Sequence, residues 1–91
     1  MAIYPPSSTR LQSAVTSLLR PGDGDTSERS VRCQLLYRPT NPSYTVWARS
    51  GIREWLSAAL ACVLERPFAK SDDHWVLELK EAETLLAATG A

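Results

Sequence analysis

Apolar positions recur along this chain at two different periods, and the switches between them divide it into elements. Leu11, Val15, Leu18 and Leu19 fall at helical spacing and predict a first helix over residues 9–20. Thr9 and Gln12 offer a T-x-x-Q capping box at its start, and Pro21-Gly22 ends it. The period then drops to two. Val31, Cys33, Leu35 and Tyr37 alternate with Arg32, Gln34, Leu36 and Arg38. Beyond the turn PTNPS at residues 39–43, Tyr44, Val46 and Ala48 alternate with Thr45, Trp47 and Arg49, so residues 31–38 and 44–49 read as a β-hairpin. Ser50 then caps a second helix, SGIREWLSAALACVLER, whose residues Ile52, Trp55, Leu56, Ala59, Leu60 and Val63 share one arc before Pro67 stops it.

The last quarter supports two readings. Trp75, Leu77 and Leu79 alternate with His74, Val76, Glu78 and Lys80, which predicts a third strand followed by a helix over 81–89 closed by Gly90. Ser71, Asp72 and Asp73 would also open a helix, in which Trp75, Leu79, Ala82 and Leu86 form one stripe. The strand is preferred because an isolated two-stranded hairpin is marginal and a third strand stabilises it. The expected fold class is therefore α+β: a small antiparallel sheet packed on a central amphipathic helix, in the order α-β-β-α-β-α, with α-β-β-α-α as the alternative.

At 91 residues the chain is expected to form a single small domain, residues 1–91, with 1–6 an extended lead-in and 21–30 a polar, flexible loop. In that loop Asp23, Asp25 and Ser27 alternate like calcium ligands, but Glu28 stands where such a loop needs glycine and Gln34 where it needs a bidentate acid. The start, MAIYPPSSTR, has no apolar leader segment, and the longest apolar run, AALACVL, is far short of a membrane span. A cytoplasmic protein with no membrane partner is expected. Cys33 and Cys62 are too few for a disulfide framework, although one bridge between strand and helix is conceivable.

Charge changes the picture most. The chain as a whole is neutral, ten basic against ten acidic residues. Yet residues 29–53 carry Arg29, Arg32, Arg38, Arg49 and Arg53 and no acid, while residues 54–91 hold seven acids against three bases. Strand alternation sends Arg32, Arg38, Trp47 and Arg49 to the side away from the core, so the hairpin presents a basic and aromatic face. Arginine and tryptophan together are the usual anchors of protein interfaces. They also suit phosphate contact with base stacking. The competing possibility is that these arginines pair with the acidic last third and Trp47 is covered.

Catalytic chemistry finds little support. Ser50-Gly51 lacks the G-x-S-x-G pattern of a nucleophile elbow, and the four glycines form no phosphate loop. His74 is the sole histidine, and in a strand it and Asp73 would point to opposite faces. Cys62, on the apolar margin of its helix, reads as an inert buried thiol. The function expected is a non-catalytic protein-binding module, a small adaptor or inhibitor, using Arg32, Arg38, Trp47 and Arg49. Nucleic-acid binding through the same hairpin is the alternative, a homodimer is possible, and no cofactor or metal is expected.

Overall fold

Two prolines set the entry to the first helix. Pro5 and Pro6 keep the backbone extended up to Ser7, which caps α1 (Ser8–Ser17) by accepting the Arg10 N–H on its Oγ at 3.1 Å. The computed structural model describes residues 4–20, 30–38 and 40–90. The calcium-like stretch 21–29 with Arg29, the turn residue Pro39 and the first three residues of the lead-in lie outside them. Thr9 does not cap α1 as its spacing suggests, because Ser7 already meets the donor. Gln12 is instead turned to the sheet, its Oε1 accepting the Cys33 N–H at 3.2 Å. The helix closes at Ser17, short of Arg20, through bonds from Leu18 N–H to Val15 and from Leu19 N–H to Thr16, both 3.1 Å, which tighten the last turn.

β1 (Val31–Leu36) and β2 (Ser43–Ala48) pair antiparallel, with Val31 opposite Ala48 and Leu36 opposite Ser43. Pairing stops before Tyr37 and Arg38, which belong to the connection 37–42, where the Asn41 N–H returns to the Arg38 carbonyl at 3.1 Å. α2 (Arg53–Leu64) begins after Ile52 rather than at Ser50, and Glu65, left-handed at φ 54°, ends it just before Pro67. Arg53 Nε donates to the Ala48 carbonyl at 3.1 Å and ties the start of α2 to the end of β2.

The last quarter is strand and then helix. β3 (His74–Glu78) pairs antiparallel with β2, Trp47 opposite His74 and Ser43 opposite Glu78, giving the sheet order β1-β2-β3. The strand ends two residues before the alternation does, because Glu78 caps α3 (Leu79–Thr89). Its carboxylate accepts the Glu81 N–H, and the Glu81 carboxylate accepts the Glu78 N–H at 3.0 Å. Gly90 closes α3 at φ 72°, a conformation that favours glycine. The order α-β-β-α-β-α is therefore the one observed.

The helices cover one side of the sheet. Val31, Cys33, Tyr44, Val46, Trp75 and Leu77 point into a single core with Leu11 and Val15 of α1, Ile52 just before α2, Leu56 and Leu60 of α2, and Ala82 and Leu85 of α3. α1 packs on β1, while α3 lies on β2 and β3 and touches both other helices. The polar tips of two buried aromatics are satisfied: Tyr44 Oη donates to the Pro6 carbonyl at 2.6 Å and Trp75 Nε1 to the Ala69 carbonyl at 3.0 Å. The buried stripe of α2 is Leu56, Ser57 and Leu60. Trp55, on the opposite flank of the expected arc, is 52% exposed and is not core.

Candidate functional site

With every helical stripe directed at one side, the sheet's other side faces outward. It presents three rows read across β1, β2 and β3: Arg32, Trp47 and His74; Gln34, Thr45 and Val76; Leu36, Ser43 and Glu78. Alternation is the cause, since each of these residues neighbours one that is buried or, for Leu36, partly buried against the core. Trp47 and Thr45 are half-buried, whereas Arg32, Gln34, Leu36, His74, Val76 and Glu78 are exposed.

The first row is a connected chain of groups. The Arg32 guanidinium carbon lies 4.4 Å from the centroid of the Trp47 ring, a cation–π stack. On the other strand the His74 ring lies 6.3 Å from Trp47, tilted by 32°. His74 Nδ1 donates to Asp73 Oδ1 at 2.8 Å, and that bond holds the Asp73 carboxyl below the usual carboxylate range. The expectation that Asp73 and His74 diverge is thus corrected: Asp73 lies just before β3, in a bend where strand alternation does not apply.

Of the residues singled out by sequence, the structure brings Arg32 and Trp47 into contact. Arg49 follows β2 at the same end, exposed, with its N–H on the Ser30 carbonyl at 3.0 Å. Arg38 is exposed in the connection beyond the opposite end of β1, off the paired strand. Sequence reasoning missed His74 and Val76 as members of this face. Their signal was the alternation of residues 74–78, which assigns even positions to one side but does not say with which strand they pair.

Both edges of the sheet carry side-chain bonds. On β1, Gln12 takes the Cys33 N–H; on β3, Arg66 Nη2 donates to the Val76 carbonyl at 3.0 Å, and Glu81 takes the Glu78 N–H. Arg66 also reaches Glu81 with two of its nitrogens, Nε at 2.5 Å and Nη2 at 3.2 Å, and stacks on Phe68. Between residues 66–69 and β3 lies a groove of about 320 Å³ whose lining includes Asp72, His74 and Trp75.

Both cysteines are free. Cys33 faces the core, where burial pushes its thiol up to about 12, while Cys62 is exposed rather than buried as expected. Among the described residues no cluster of three or more metal-ligating side chains occurs, and no helix is long and apolar enough to cross a membrane. No family model matches the chain, and comparison with curated proteins and with solved structures found no significant match.

Proposed function

We propose that this chain is a non-catalytic protein-binding module, an adaptor or inhibitor, that docks its partner on the outer face of the three-stranded sheet. The observation that carries the proposal is the make-up of that face. It places Arg32 on Trp47 beside Val76 and Leu36, which are 56% and 51% exposed, on a surface that no helix covers. Tryptophan and arginine anchors beside exposed aliphatic groups are the composition of protein interfaces. A cytoplasmic setting accords with two free thiols, which a reducing compartment maintains.

Nucleic-acid contact through the same ribbon is the second reading. The exposed guanidinium groups of Arg32 and Arg38 favour it. Against it stands the Arg32 stack, which occupies a face of the one indole that a base would use.

A photo-crosslinking side chain placed at Gln34, exposed in the middle of the outer face, tests the proposal against one placed at Ala87, exposed on α3. In nuclease-treated extract of the native host, the Gln34 probe is expected to give a discrete protein adduct and the Ala87 probe none. Adducts from both positions alike, or adducts that vanish with nuclease, would remove it.

A further inference from the structure

Resting on that reading, we propose that the partner presents an acidic, extended segment to the outer sheet face, one carboxylate held by Arg32 against Trp47 and a second by Arg38. The charges on this face are unevenly engaged. Its acids already have partners: Asp73 accepts from His74, and the Glu78 carboxylate caps the start of α3. Neither Arg32 nor Arg38 forms an ion pair with any carboxylate among the described residues. What Arg32 and Arg38 lack is a carboxylate partner, and an acidic segment supplies it.

Geometry narrows the partner further. The Trp47 ring holds the Arg32 guanidinium carbon 4.4 Å from its centroid, and the N–H donors of this group suit a two-point contact with a carboxylate. A group held in place beforehand loses less freedom on binding. Arg32 and Leu36 are four positions apart on β1, about 13 Å at strand rise, and Arg38 follows in the connection just beyond, so a segment of about seven extended residues reaches from one end to the other. Leu36 lies exposed along that span and Val76 lies exposed on β3, across β2 from Gln34, so an apolar residue between the two carboxylates has a surface to cover. Gln12, Arg66 and Glu81 occupy edge positions where an added strand would bond, which directs the segment across the face instead.

Fluorescence anisotropy with the full chain tests this. The probes are a dye-labelled peptide of about nine residues with glutamates at both ends and an apolar centre, its glutamine counterpart, and a dye-labelled oligo-dT. The glutamate peptide is expected to bind and the glutamine peptide to bind at least about tenfold more weakly. Arg32→Glu and Arg38→Glu, both at exposed positions and checked for fold by circular dichroism, should each weaken the glutamate peptide about tenfold. Lys70→Glu, exposed and off this face, should leave it unchanged. Equal binding of the two peptides, or indifference to Arg32→Glu and Arg38→Glu, overturns the proposal. Tighter binding of oligo-dT that Arg32→Glu abolishes overturns it in favour of phosphate. Absence of any binding by the glutamate peptide overturns the acidic segment alone, because the Gln34 adduct tests the docking face independently.

Discussion

The two faces of this sheet share every backbone atom and differ in almost everything else. On the inner face Tyr44, Val46 and Leu77 are fully covered, and the one buried phenol has its hydroxyl bonded. On the outer face their chain neighbours Thr45, Trp47 and Val76 remain partly or largely exposed, and polar contacts run sideways from group to group. Burial of apolar side chains supplies most of the drive to fold, so the inner face carries stability. The outer face carries correspondingly little of it.

The largest expected effect tests that division at adjacent residues. Leu77→Ala removes a fully buried side chain from the core and should lower the unfolding free energy by about 2–5 kcal/mol. That is a large share of the roughly 5–15 kcal/mol a small domain holds. Val76→Ala, one residue earlier and facing outward, should change it by no more than about 0.5 kcal/mol. Urea denaturation followed by circular dichroism reads both, and comparable losses would break the contrast between the faces.

An intermediate effect belongs to the border between them, where Arg66 holds Glu81 at the edge of β3. Burial alone would push the Glu81 carboxyl up, but the bonds from Arg66 and from the Glu78 N–H outweigh it and hold the group below its ordinary value. A carboxyl with a lowered folded-state value stabilises fully above its unfolded value of 4.5. Below that pH the unfolded chain takes up the proton first, and the contribution is lost as pH falls through the folded-state value. Arg66→Ala should therefore cost about 0.5–1 kcal/mol at neutral pH, the modest figure of a partly exposed pair. The deficit relative to the parent protein should shrink in acid. Urea titrations at neutral pH and well below 4.5 measure it, and a deficit that stayed constant would show that Glu81 is not the partner that matters.

The sheet was legible in the sequence because its signal is local. Alternation placed Val31, Cys33, Leu35, Tyr44, Val46 and Ala48 inward correctly, though Tyr37, which it also sent to the core, lies past the end of β1 and is 54% exposed; the argument that a lone hairpin is marginal selected the strand at 74–78 over the helix. Features set by competition between nearby groups were less legible. Ser7 displaced Thr9 as the cap, and Glu78 turned from strand residue to helix cap because Glu81 stood three positions on. Trp55 met the periodicity of a core residue, yet the covered stripe is Leu56, Ser57 and Leu60, and nothing within the helix encodes which flank will be covered. For the same reason the meeting of Arg32 with Trp47 across the strands followed only from the register.

The smallest expected effect lies wholly on the outer face, in the stack of Arg32 on Trp47. An exposed cation–π contact contributes about 0.5–1 kcal/mol, and both groups keep access to water, so the pair should add little to folding. A double-mutant cycle of Arg32→Ala and Trp47→Ala isolates it, because the loss of indole packing against neighbouring strands cancels between the two arms. The coupling should come out near the lower figure and fall with added salt, since solvent ions screen an exposed cation. A coupling of several kcal/mol would mean that the outer face contributes to the fold as the inner one does. Its arginine would then be a structural element rather than a group held ready for a carboxylate.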